Sequence, residues 1–211
     1  MKIKNLCTVL FFLMSLTIFA QEPVTPEYAK AIGQVKFGIK GGVNFSTQNF
    51  ELISNGNSSS LSTRGITNSH FGLFAEVPLS QKFLFQPELL YSVEGSDVNL
   101  FPLVFEQKFS YLRIPLLTSY RIVDRLSLQG GPQFGFLIND KINVEDDSVE
   151  TLESIYKSFE FSLAFGLEYD LSESLLLGAR YTAGVSDISD ISDAQLRTNN
   201  FQVYIGWRLF K

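Results

Sequence analysis

The sequence predicts an all-β protein: an eight-stranded antiparallel barrel that crosses a membrane. Three observations predict it. Eight segments alternate large apolar residues with polar or small ones, as a strand with two unlike faces does. These segments run 11 to 16 residues. A tilted membrane crossing needs about 9–11, whereas strands of soluble proteins average about five or six. The connections between the segments are tight and long by strict turns. In a closed sheet with an even number of strands, that order puts every tight turn and both ends of the barrel at one rim, and every long loop at the other.

The chain has 211 residues, with 20 Phe, 8 Tyr, one Trp, one His and one Cys. Residues 1–20 read as a secretory signal peptide. Lys2 and Lys4 precede the apolar run LCTVLFFLMSLTIFA (Leu6–Ala20), with cleavage expected after Ala20. The run is short for a spanning helix, which takes about 20 residues. Cys7 lies at the start of that run rather than after it, so it is removed with it and is badly placed for a lipid anchor. Residues 21–35, with Pro23 and Pro26, read as a periplasmic lead-in with a short helical piece around Tyr28–Ile32. Residues 36–211 form the barrel domain. Without Lys2 and Lys4, basic residues fall from 17 to 15 against 22 acidic ones, a net charge of −7. That balance argues against a nucleic-acid partner. No later stretch is apolar for 18 consecutive residues, so any membrane crossing is made by strands.

The expected strands, in order, are Lys36–Ser46, Ser69–Leu79, Lys82–Glu94, Lys108–Val123, Arg125–Asn139, Lys157–Leu171, Ser174–Val185 and Asn199–Phe210. The sixth shows the pattern most clearly. In FEFSLAFGLEY (Phe159–Tyr169), the odd positions are Phe, Phe, Leu, Phe, Leu and Tyr, and the even ones Glu, Ser, Ala, Gly and Glu. The first strand puts Phe37, Ile39, Val43 and Phe45 on its apolar face, and the last puts Phe201, Val203, Ile205 and Trp207 there. Ser80-Gln81, Asp124 and Ser172-Glu173 make the tight turns. Thr47–Asn68, Gly95–Gln107, Asp140–Tyr156 and Ser186–Thr198 make the long loops. The apolar faces are therefore expected to meet lipid. Phe85, Tyr120, Tyr169 and Trp207 gather toward the turn rim. Phe45, Phe71, Tyr91, Phe136 and Phe201 gather toward the loop rim. Such aromatic girdles mark the membrane interfaces of these barrels. Pro87, Pro115 and Pro132 fall inside strands, and bulges are the expected accommodation.

The opposite faces carry the charges. By parity, Lys36, Lys40, Arg113, Arg121, Arg180 and Arg208 point inward, as do Glu76, Glu88, Glu94, Glu160 and Glu168. Gln86, Gln129, Gln133 and Gln202 join them. Eight strands leave an interior just wide enough for side chains. Paired charges are then expected to fill the lumen and pin the register, with Glu88 as the expected partner of Arg113. A narrow polar path is the functional alternative.

Several stretches resemble the small outer-membrane β-barrel proteins of Bacteroidetes, the PorT-like or porin-family group. They are FGIKGGVNFS (Phe37–Ser46), FQPELLYS (Phe85–Ser92), YLRIPLL (Tyr111–Leu117), GGPQFGFLI (Gly130–Ile138) and FQVYIGWRLF (Phe201–Phe210). The resemblance covers about Lys36 to Lys211. It implies the barrel fold, the outer membrane as location, and outer-membrane lipids and the barrel-assembly machinery as partners. Some relatives take part in protein secretion, which adds envelope or secretion proteins as partners. The family closes on a lipid-facing aromatic. Here Leu209 holds that register, before Phe210 and Lys211.

Motifs for chemistry are sparse. His70 is the one histidine; its neighbour Ser69 must point to the other face, and no nucleophile motif accompanies them. A lipid A-modifying hydrolase is therefore a distant alternative, and no catalytic residue is assigned. VEDDSVETLE (Val144–Glu153) and the triplet Asp187, Asp190, Asp193 are rich in oxygens but lack the order of an EF-hand, so they read as solvated loops without a metal. Asp147-Ser148-Val149 matches a short acceptor for O-glycosylation. No cofactor is implied. The sequence thus predicts an outer-membrane barrel with a structural or interaction role: a loop-presenting anchor serving envelope integrity or a secretion assembly. A narrow channel for small solutes or hydrophobic ligands is the alternative.

Overall fold

The computed structural model describes residues 33–54, 57–61, 63–100, 103–144, 147–150, 156–190 and 194–209. The expected signal peptide and most of the lead-in lie outside the described residues. Ten strands form one sheet: β1 Lys36–Ser54, β2 Asn57–Leu61, β3 Thr63–Pro78, β4 Phe83–Leu100 and β5 Leu103–Val123. They continue with β6 Leu126–Val144, β7 Asp147–Glu150, β8 Phe159–Asp170, β9 Leu175–Gly184 and β10 Ala194–Arg208. Eight of them make the wall, in the order β10-β9-β8-β6-β5-β4-β3-β1, and an antiparallel β1–β10 ladder closes it. Closure leaves no free edge in the wall, which is what a sheet surrounded by hydrocarbon requires.

The ladders set the geometry. A row of lipid-facing partners runs Phe45, Phe201, Tyr181, Phe165, Gly130, Thr118, Phe85, Val77. It returns to β1 level with residue 35, one step past the Lys36–Glu76 pair and ten residues before its start. That stagger in an eight-stranded barrel corresponds to strands tilted by about 40°. The faces sort as alternation demands. Phe71 is 62% exposed and Trp207 58%, whereas Arg113 and Arg180 are 1% exposed. Apolar side chains outside and charged ones inside would be inverted in water. In lipid they are the stable arrangement.

Three expectations need correction. The segments read as loops continue the ladders: β1 extends to Ser54 and pairs with β2, β4 with β5 reaches the Leu100–Leu103 pair, and β6 folds back onto β7. Beyond the membrane nothing enforces an apolar face. The period-two signal therefore disappears while backbone pairing persists. Second, the prolines do not create bulges. Pairing lapses at Ala75-Glu76 against Gln86-Pro87, at Glu88-Leu89 against Ile114-Pro115, and at Leu116-Leu117 against Gly131-Pro132, and the register resumes unchanged each time. Proline lacks the donor but keeps an extended φ, so the ladder loses bonds without needing an extra residue. Third, the register shifts lie elsewhere, between Gly65 and His70, at Ser110/Tyr111 and at Arg121/Val123.

Candidate functional site: the charged lumen

Each wall strand sends every second side chain inward, so the lumen is built from short rows on eight neighbouring strands. The rows meet in three layers. The central layer is organised by Glu88 on β4. Arg180 on β9 grips both its oxygens, Nη1 to Oε2 and Nη2 to Oε1, each at 2.8 Å. Lys40 on β1 donates to Oε1 at 2.8 Å and lies 3.6 Å from Glu168 on β8. Tyr204 on β10 lies under the Lys40 ammonium, 3.7 Å from it to the ring centre, and its hydroxyl donates to Glu168 at 2.9 Å. Gln129 Nε2 donates to Gln86 Oε1 at 3.0 Å, and Gln86 Nε2 donates to Glu88 at 3.1 Å and to Glu168 at 3.2 Å. Small residues make room: a Cβ on Gly178 would lie 2.3 Å from the Tyr204 ring.

Toward the loop rim, Arg113 on β5 bridges two carboxylates. Its Nη2 donates to Glu94 Oε2 at 2.7 Å and to Glu160 Oε2 at 3.0 Å. The guanidinium lies over the Tyr111 ring at 3.9 Å and occupies the space a side chain on Gly135 would need. The expected Arg113–Glu88 pair is therefore corrected. Both Glu88 oxygens are taken by Arg180, while Tyr111 and Gly135 turn Arg113 toward the loop end. A relay of neutral groups joins this layer to His70: Ser92 Oγ donates to Glu94 and Asn44 Nδ2 donates to Ser92, each at 2.8 Å. Asn44 Oδ1 lies 2.7 Å from His70 Nδ1. The Asn44 amide nitrogen already donates, so its oxygen accepts and His70 carries its proton on Nδ1. His70 is buried and Ser69 exposed on the opposite face, so the two do not form a nucleophile and base.

At the turn rim, Arg208 on β10 binds Glu76 through Nε at 2.9 Å and Nη2 at 2.8 Å, and Asp170 through Nη2 at 2.6 Å. Two expected members of the network stand apart from it. Lys36 has no ion pair among the described residues. Arg121 comes no closer than 3.9 Å to Asp170, with its side chain 40% exposed. Both have inward parity, but they lie at the rim, below the last complete layer.

Sequence reasoning left Asn44, Ser92, Tyr111, Asp170 and Tyr204 out of the lumen network, and weighed His70 only as a candidate for catalysis. Their signal was present. Each shares parity with an inward charge on its own strand: Asn44 with Lys40, His70 with Glu76, Ser92 with Glu88, Tyr111 with Arg113, Asp170 with Glu168, and Tyr204 with Arg208. The loop end is roofed by Phe109, Tyr111, Tyr156, Ile188 and Leu196, all buried. Burial, and then the Asp140 charge, push the Tyr156 hydroxyl up. Asp187 is engaged rather than open. It accepts the Leu196 N–H at 2.8 Å and the Ser189 N–H at 3.0 Å, and pairs with Lys157 at 3.0 Å. Burial opposes its charge, but these donors outweigh burial and hold its carboxyl below the usual range. Asp193 and half of VEDDSVETLE, residues 145–146 and 151–153, lie outside the described residues. Among the described residues, no group of three or more His, Cys, Asp or Glu could hold a metal ion.

No curated protein sequence matches the chain. Among solved structures, it is similar to Ail, the attachment invasion locus protein of Yersinia pestis, at 15% identity and a TM-score of 0.46, covering 84% of this chain and 100% of that one. It is also similar to Neisserial surface protein A, at 8% identity and a TM-score of 0.49, with coverage of 84% and 100%. The outer membrane protein OprG from Pseudomonas aeruginosa is similar at 14% identity and a TM-score of 0.44, with coverage of 83% and 96%. The model of the family described as "Outer membrane protein beta-barrel domain" matches residues 19–190. With its closed eight-stranded wall, lipid-facing apolar rows and charged interior, the chain belongs to the outer membrane protein β-barrel domain family.

Proposed function

We propose that this outer-membrane barrel is a loop-presenting anchor, a structural or interaction component of the envelope rather than a pore or an enzyme. One observation carries the reading. Glu88, Arg180 and Lys40, drawn from three separate parts of the wall, are fully enclosed, and both cations are bound to Glu88 across the lumen. Moving any of these charges aside strands its partner in a site closed to outside solvent, at a cost of about 3–5 kcal/mol. A solute path would incur that cost at each layer. The partners of this reading are outer-membrane lipids, the barrel-assembly machinery, and envelope or secretion proteins that meet the loops. A signal peptide cleaved after Ala20 and kinship with the PorT-like group of Bacteroidetes belong to the same reading, supported by the sequence patterns above.

The test is conductance. Purified protein in planar bilayers is expected to show no large, steady opening. Stable openings of porin size would refute the plug and favour the channel. Cross-linking in native membranes is then expected to capture envelope proteins through the loop end.

A further inference from the structure

The ion pairs of the lumen leave cations over at the turn rim. Lys40, Arg113, Arg180 and Arg208 each meet a carboxylate within 3.0 Å. Lys36 meets none among the described residues. The nearest carboxylate oxygen to Arg121 is Asp170 Oδ2 at 3.9 Å, and the other oxygen of Asp170 is held by Arg208 at 2.6 Å. Arg121 Nε is shut off from solvent without a hydrogen-bond partner.

Lys36 and Arg121 flank a cavity of about 210 Å³, which Lys82 also lines. One carboxylate, Glu76, belongs to its lining, and both Glu76 oxygens already accept from Arg208. Among the described residues, the cavity therefore holds three cations and no carboxylate free to neutralise them. Neutral donors surround it. Ser80 Oγ accepts the Phe83 N–H at 3.1 Å and keeps its own proton to donate, and Gln34 supplies an amide. A second cavity of about 240 Å³ shares Lys36 and Arg121, but Asp124, Asp170 and Glu173 line it together with Arg125 and Arg208. Its charge is nearly balanced.

We infer that the first cavity is a binding site for a phosphate-type oxyanion. Like charges held together at a membrane rim repel, and an anion between them removes the repulsion. A guanidinium offers a fork that matches the oxygens of a phosphate, and ammonium groups serve as point charges beside it. Inorganic phosphate and a phospholipid headgroup of the turn-side leaflet present the same chemistry.

The experiment has two arms, both in maltoside micelles, which carry no phosphate. Inorganic phosphate is titrated by calorimetry at constant ionic strength, and retention of phosphatidylglycerol is read by native mass spectrometry. Lys36→Gln and Arg121→Gln keep side-chain length; folding of each is checked by heat-modifiable gel migration. Each substitution is expected to weaken binding about fivefold, and the pair at least about tenfold, as loss of charge-assisted bonds predicts. Arg125→Gln, which lies outside the first cavity, is expected to stay within about twofold of the unmutated protein. Phosphate binding without lipid retention assigns the site to the free ion, and lipid retention alone assigns it to a headgroup. The inference is overturned if the unmutated protein retains neither, if the Lys36 and Arg121 variants bind as it does, or if Arg125→Gln loses as much as they do.

Discussion

Replacing Arg113 by alanine strips two buried carboxylates of their shared cation. Glu94 and Glu160 are each 1% exposed and meet the guanidinium at 2.7 and 3.0 Å. Removing one partner of a buried pair costs about 3–5 kcal/mol. Loss of the contact with the Tyr111 ring adds up to about 2 kcal/mol when desolvated. Water entering the vacated volume, or a proton taken up by one carboxylate, offsets part of this. The expected net loss is about 3–5 kcal/mol. Urea unfolding in lipid vesicles measures it, with Trp207, the single tryptophan, reporting from the lipid face. Adding Glu94→Gln to Arg113→Ala is expected to recover about 1–3 kcal/mol through the coupling of neighbours. Adding Glu88→Gln is expected to be additive within about 0.5 kcal/mol, because Glu88 and Arg113 share no partner. A loss below about 1 kcal/mol for Arg113→Ala would refute the layered plug. So would coupling to Glu88 as strong as that to Glu94.

Three further outcomes follow from the same structure. Leu163→Arg and Ile205→Arg place a charge on the lipid face and should each cost about 2–4 kcal/mol, while the inward Ser162→Thr should cost less than about 1 kcal/mol; the opposite order in urea unfolding would invert the facing of every strand. Gly178→Ala drives a Cβ into the Tyr204 ring and should cost about 1–3 kcal/mol, whereas Gly41→Ala, whose Cβ would meet ordinary contacts at 3.6 Å and beyond, should be nearly neutral; equal effects would mean that Tyr204 does not rest on Gly178. The depressed carboxyl of Asp187 contributes stability above its unfolded value of about 3.9 and loses it as pH falls through the lower folded value. Protection of the Leu196 amide from hydrogen exchange should therefore drop on acidification through that range in the unmutated protein but not in Asp187→Asn, and the same drop in both would exclude Asp187 as the cause.

Parity along a strand is a local property, so the sequence determined it alone. Phe159–Tyr169 already tells which residues face lipid, and Lys40, Glu88 and Arg180 already share the inner face. The order of tight and long connections likewise determined the strand count and which rim is which. Height is not local. It depends on tilt and stagger, which exist only once β10 has closed onto β1. Only the tertiary structure could therefore decide that Glu88 belongs to Arg180 and Lys40, that Arg113 belongs to Glu94 and Glu160, and that Lys36 and Arg121 fall below the last layer. The outer ends of the strands were illegible for the reverse reason. Past the membrane no lipid lines the outer face, so nothing demands an apolar residue at every second position, and residues 47–54 and 95–100 carry no lipid-facing apolar pattern while their backbones still pair. The prolines stand between these cases. Their missing donors were evident in the sequence, but whether a ladder bulges or merely skips is decided by the neighbouring strands, which here hold the register on either side.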